Sequence, residues 1–211
     1  MVDSAEQTHE QPQIYLITPA QIELGRFSDE LARILDTTEI ACVRMDLVSR
    51  EEDTLSRSAD ALREICHARD VALVITDHQI LAERLGLDGV HLSDATKPVR
   101  TARKALGPDA IVGSFCGGSR HDGLTAGEAG ADYISFGPIG VSGLGDGQQA
   151  ELELFQWWSE VVEVPVVAEG GLTTDLVRQF TPYTDFFGIG DEIWRHEDPQ
   201  VALAELIAAM Q

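Results

Sequence analysis

Residues 130–140 read GADYISFGPIG and residues 164–172 read VPVVAEGGL, two segments built the same way: an apolar β-run ending in a glycine-bearing turn. A strand that stops in a glycine loop ahead of a helix leaves bare backbone N–H groups at the carboxyl edge of a parallel sheet, where α/β proteins hold phosphorylated ligands. FFGIGDE at 186–192 continues the series. Two adjacent turns of this kind form the usual phosphate cradle of a (β/α)8 barrel.

Five further runs precede these, so the strands read QIYLIT (13–18), IACVRM (40–45), VALVIT (71–76), GVHL (89–92), AIVGSF (110–115), DYISF (132–136), VPVVA (164–168) and DFFGI (185–189). Continuous Val/Ile/Leu runs of this length fit strands covered on both faces. Amphipathic stretches lie between them, as in LSRSADALREICHARD at 55–70, where Leu55, Ala59, Leu62 and Ile65 or Cys66 recur at helical spacing. The first strand has no GxGxxG turn after it, which argues against an open dinucleotide-binding sheet. The fold class is therefore α/β, a single-domain (β/α)8 TIM barrel over residues 13–211, with residues 1–12 a disordered tail.

At 211 residues the chain suits one well-buried core. Its apolar runs are too short to span a bilayer and its acidic, polar start is unlike a secretion signal, so a cytoplasmic protein is expected. Cys42, Cys66 and Cys116 are odd in number and widely spaced, which points to reduced thiols. Thirty-six acids against 15 bases give a net charge of −21, a surface that repels nucleic acid and anionic lipid. Phosphorylated small molecules remain as partners, provided that loop N–H groups, an arginine or a divalent cation offset the field locally. Trp157 and Trp158 with Phe155 read as outer-helix packing, or as a contact in a homo-oligomer.

In order, YLIT, the arginine of CVRMD, VITDH, LDGVHLSD, GADYISFGPI and PVVAEGGL resemble thiamine phosphate synthase and its relative, the thiazole tautomerase of the TenI type, over nearly the whole chain. The resemblance implies a barrel in which a pyrimidine methyl diphosphate loses pyrophosphate, with Mg2+ assisting, and a thiazole phosphate nitrogen captures the cation. It implies a catalytic Arg44 gripping diphosphate oxygens, a magnesium-binding Asp77 preceded by Thr76 in the substrate site, and a catalytic cysteine, Cys116, at the family's serine position. Thr96 falls at the family's second metal-binding acid, and Asp94, two residues away, supplies the second metal carboxylate. Ser142 replaces a catalytic threonine, while Gly137, Gly170, Gly171, Gly188 and Gly190 bring the backbone up to the substrates. Such a barrel would gather Arg44, Asp77, Ser142 and the Gly170–Gly171 bend around one small cavity.

The chain also departs from the family pattern. Cys42 and Asp46 replace a glutamine and a lysine, and Gly145 stands at a second lysine position. Each lost donor to the departing pyrophosphate would cost on the order of 2–4 kcal/mol. Glu169 before the glycine pair and Asp191 in the last turn put carboxylates beside a phosphate cradle. Either Glu169 sits in a barrel-end ion pair and touches no ligand, or the ligand has changed. His91 reads as a hydrogen-bonded structural residue, His78 as a neighbour of a metal site, and His121 as an exposed loop histidine or a tautomerase acid/base. Three functions are thus in play: a synthase with a remodelled site, a non-condensing sensor or partner subunit, and a tautomerase.

Overall fold

Eight parallel strands close into a barrel in sequence order, β1 (Gln13–Ile17), β2 (Cys42–Met45), β3 (Ala72–Thr76), β4 (Gly89–Leu92), β5 (Ile111–Phe115), β6 (Tyr133–Phe136), β7 (Val166–Glu169) and β8 (Phe186–Ile189), in the computed structural model, which describes residues 11–49, 51–95 and 97–211. The expected tail falls outside the described residues except for Gln11 and Pro12, and Thr96 also lies outside them. Helices α1 (Leu24–Thr37), α2 (Glu52–His67), α3 (Gln79–Leu85), α4 (Val99–Leu106), α5 (Arg120–Glu128), α6 (Leu152–Val161) and α7 (Thr174–Phe180) follow the first seven strands, and α8 (Asp191–Trp194) and α9 (Pro199–Ala208) follow the last.

Alternation along each strand sorts its side chains into two populations. Leu16, Val43, Leu73, Ile75, Val90, Val112, Ile134, Phe136, Val166 and Phe187 point outward under the helices, where Leu31, Leu62, Phe155 and Trp158 complete the main core. Phe136 meets Phe155 and Trp158 edge to face, so the expected aromatic packing on α6 belongs to this core. The inward population is more polar. Tyr15, Cys42, Val74, Tyr133 and Val167 form an interior layer, and the next inward residues toward the carboxyl rim include Arg44, Thr76, His91, Ser135 and Glu169.

Register is set by a repeated aspartate. Asp88, Asp132 and Asp185 each stand one residue before an even-numbered strand, and each carboxylate accepts the backbone N–H of a residue on the strand before it: Leu73 at 2.7 Å, Val112 at 2.7 Å and Val166 at 2.8 Å. A charged acceptor on an edge amide ties neighbouring strands at the amino end of the barrel, far from the rim that carries the site. Among the described residues no helix is long and apolar enough to cross a membrane.

The interior tolerates no extra volume beside the tyrosines. A Cβ at Gly113 would lie 2.0 Å from Tyr133 Cζ and 2.3 Å from its hydroxyl oxygen. Gly113→Ala is expected to destabilise the fold by roughly 1–3 kcal/mol or more through overpacking, whereas Gly143→Ala, where nothing lies within 4 Å, changes stability little. Urea denaturation of the two variants checks the contrast.

Candidate active site

The second strand carries Arg44 into the barrel, where the guanidinium is only 3% exposed. Its fork closes on Glu169 from β7, Nη2 to Oε2 at 2.7 Å and Nη1 to Oε1 at 3.3 Å, and Nη1 also reaches His91 Nε2 on β4 at 2.9 Å. An arginine only donates, so Nε2 is the accepting nitrogen and the imidazole proton sits on Nδ1. That N–H donates to the Tyr133 hydroxyl at 2.9 Å, which in turn shares a 2.5 Å hydrogen bond with Tyr15. One polar chain thus runs from Glu169 through Arg44, His91 and Tyr133 to Tyr15.

Burial dictates the protonation of this chain. For Arg44, burial opposes the charge, but Glu169 first and then Tyr15 more than offset it, and the guanidinium pKa is raised. Burial, then the neighbouring Arg44 charge, pushes His91 well below its usual range, which agrees with a neutral imidazole. Burial likewise raises both tyrosines, so their hydroxyls stay protonated.

Glu169 is therefore the ion-paired residue that one of the two sequence readings describes, and its partner is Arg44 rather than a more distant arginine. The fork assigned to diphosphate is occupied. Arg44 Nε, Thr76 Oγ1 and Ser135 Oγ, all buried, have no hydrogen-bond partner among the described residues.

At the rim of β3, Asp77 sits in the left-handed region at φ 63°, a conformation that aspartate tolerates better than most residues. Its carboxylate accepts the Ser93 N–H at 3.0 Å, the Ser93 hydroxyl at 2.6 Å, and the Lys97 ammonium. Burial works against its ionisation, but the hydrogen bonds from Lys97 and Ser93 prevail and hold its pKa below the ordinary carboxylate value. Asp94 stands beside Ser93 in the same β4–α4 loop and lines a cavity of about 720 Å3 with Cys116, Gly137 and Gly145. Burial pushes the Cys116 thiol up to about 12, so it is a neutral group.

Four strands further round the ring, the loops after β7 and β8 meet. Gly171, at φ 73°, turns where a Cβ would strike the backbone of Gly140 and Val141 at 2.7–2.8 Å, so only glycine fits. The N–H groups of Gly171, Leu172 and Gly190 converge, and the Glu192 carboxylate accepts all three, at 2.8, 3.2 and 2.9 Å. Ser142 and Gly171 line a cavity of about 390 Å3 next to it.

Among the described residues the closed barrel brings every sequence-assigned group to the carboxyl end, but the expectation of one shared cavity needs correction. Asp77 lines a cavity of about 380 Å3, Asp94 and Cys116 line a second, and Ser142 and Gly171 a third. Glu169, Arg44 and His91 are buried and line none of these three cavities. His121 is exposed on the first turn of α5.

A family model described as thiamine monophosphate synthase matches residues 14–183. The chain belongs to the thiamine monophosphate synthase family. A thiamine-phosphate synthase from Rhodospirillum centenum is 38% identical over 201 residues, covering 94% of this chain and 97% of that one. Its counterpart from Hyphomonas neptunium is 34% identical and covers 100% of this chain and 98% of its own. Among solved structures, thiamine phosphate pyrophosphorylase from Pyrococcus furiosus superposes with a TM-score of 0.81 at 23% identity, over 94% of this chain and 95% of that one, which shows the shared barrel.

Within this family member, sequence reasoning missed Lys97 and Glu192. The chain has two lysines, Lys97 and Lys104, and a lysine three residues after Asp94 in HLSDATK was the available signal for the first. For the second, the acid pair in GIGDE was legible, but only Asp191 was weighed.

Two predictions follow from the buried chain. Glu169→Ala leaves a buried, poorly paired guanidinium and is expected to cost roughly 3–5 kcal/mol, while the Arg44→Met, Glu169→Leu double variant costs markedly less; chemical denaturation of both checks this. For His91, the unfolded imidazole binds a proton below about pH 6.5 and the folded one does not. Its contribution to stability is therefore complete above that value and is lost as pH falls toward the depressed folded value, with a slope approaching about 1.4 kcal/mol per pH unit. The difference in stability between the native chain and His91→Gln, followed from pH 7.5 to 5, should carry that slope.

Proposed function

We propose that this protein is a thiamine-phosphate synthase that joins a pyrimidine methyl diphosphate to a thiazole phosphate. The observation that carries this reading is the polarity of the rim: a cation-holding carboxylate at β3 and an anion cradle of backbone N–H groups four strands away at β7 and β8. Two phosphorylated substrates, one seated at each end, would meet over the middle of the barrel. The family relationship and the named relatives support the same activity.

Chemically, the carbon–oxygen bond to the diphosphate breaks with its electron pair leaving on pyrophosphate, and the thiazole nitrogen lone pair forms the new carbon–nitrogen bond. No proton needs to move, which agrees with a site whose central histidine and tyrosines are held neutral and whose Cys116 thiol is kept protonated by burial. The hydroxyls of Thr76 and Ser135, buried and unpartnered, can donate to the pyrimidine ring nitrogens. Arg44 is held by Glu169 and His91, and its Nε has no partner among the described residues.

Asp77 and Asp94 offer hard oxygen donors on adjoining loops, and Asp77 already holds a cation in the Lys97 ammonium. Each carboxylate has the hard-oxygen chemistry that suits magnesium, which takes one or two carboxylates and completes its shell with substrate phosphates, and the two line neighbouring but separate cavities. When bound, the ion would neutralise charge on the leaving pyrophosphate. Lys97, displaced from Asp77, would then supply ammonium charge to the diphosphate in place of the lysines lost at Asp46 and Gly145. Ser142 and the N–H groups of Gly171 and Gly190 serve the acceptor's phosphate.

Purified protein incubated with both substrates and magnesium should release thiamine phosphate and pyrophosphate in equal amounts. Lys97→Ala is expected to lower kcat by about 10²–10³, the scale of one lost transition-state donor. Absence of either product from the native chain would end the synthase assignment.

A further inference from the structure

The cradle at β7 and β8 already contains an anion. Glu192 is the second residue of α8, and an ordinary capping contact would account only for its bond to Gly190, two residues back. Its other oxygen takes the Gly171 and Leu172 N–H groups, which lie 21 and 20 residues away on a different loop. Two carboxylate oxygens thus satisfy three converging amides from two strand ends, the contacts that an incoming phosphate's oxygens would make. Gly171 is held at φ 73° with the Gly140 and Val141 backbone packed against it, a constraint on its place in the cradle that is separate from Glu192.

We infer that the Glu192 carboxylate is an intramolecular stand-in for the phosphate of the thiazole acceptor, which leaves the cradle when the acceptor binds and returns when the product departs. This rests on the synthase reading. A phosphate and a carboxylate cannot share the same three amides, and their charges repel at that separation. The displaced side chain has an adjoining cavity of about 390 Å3 to enter, lined by Thr174, Asp191, Arg195 and Glu205, where Arg195 is already paired with Asp191. Glu192 is thereby a specificity-determining residue that raises the concentration of acceptor needed to fill the site. It also keeps the amides hydrogen-bonded while the site waits.

Two readouts test this on Glu192→Ala and on the near-isosteric Glu192→Gln. Inorganic phosphate is titrated by calorimetry, and KM is measured for thiazole phosphate and for the unphosphorylated thiazole alcohol at saturating pyrimidine methyl diphosphate. In both variants the phosphate Kd and the KM for thiazole phosphate should fall about tenfold or more, with the KM for the alcohol unchanged. Phosphate binding that is equal or weaker in Glu192→Gln overturns the inference and makes Glu192 a clamp between loops, even if Glu192→Ala fails to fold. Tighter phosphate with an unchanged KM for thiazole phosphate also overturns it, since the cradle would then not be the acceptor's seat. If the native chain forms no product with either acceptor, the synthase reading fails, and the phosphate titration by itself still decides whether Glu192 occupies an anion site.

Discussion

The ion pair between Arg44 and Glu169 is the constraint around which the active end of this barrel is organised. A guanidinium removed from water requires an anion at close range, and Glu169 offers a buried two-pronged one, with the half-exposed Asp46 carboxylate at 3.6 Å. Once that pair is made, the remaining Nη1 hydrogen selects the tautomer of His91, and His91 in turn orients Tyr133. A chain of four hydrogen-bonded contacts thereby ties β7, β2, β4, β6 and β1 together across the lumen. Most interiors of this fold are filled by branched apolar side chains. Here the upper lumen is filled by a polar network whose members are neutral except for one compensated pair.

On the carboxyl face the rim residues line separate recesses, and their electrostatics differ. The recess at β3 and β4 is acidic and holds an ammonium, while the one at β7 and β8 presents amide hydrogens and holds a carboxylate. In a chain with a net charge of −21 the second of these is a local exception built from backbone, which carries no formal charge and is unaffected by the composition of the surface. Each recess is satisfied from within the chain, the first by an ammonium and the second by a carboxylate.

Much of this was legible before any coordinates. The eight strand runs, the glycine turns and the absence of a dinucleotide fingerprint lead to the closed barrel, with strand boundaries that differ from those observed by no more than two residues. Glu169 was readable as an ion-paired residue and His91 as a structural one, because a charge or imidazole at a barrel strand end has few alternatives. The identity of the partner was not readable: Arg44 and Glu169 are 125 residues apart, and nothing local distinguishes Arg44 from the arginines nearer to Glu169 in sequence. Lys97 escaped notice for a similar reason, since its contact with Asp77 depends on how two successive loops fold over one another.

The sequence by itself determined the fold class, the placement of the glycine loops at the carboxyl rim and the family resemblance, because these depend on periodicity and on residue types whose backbone preferences are local. Only the tertiary structure decided which charges neutralise one another, which tautomer His91 adopts and which anion sits in the cradle. These are set by distances of about 3 Å between residues from different strands, and closure of the barrel brings such residues together without leaving a trace in their spacing along the chain.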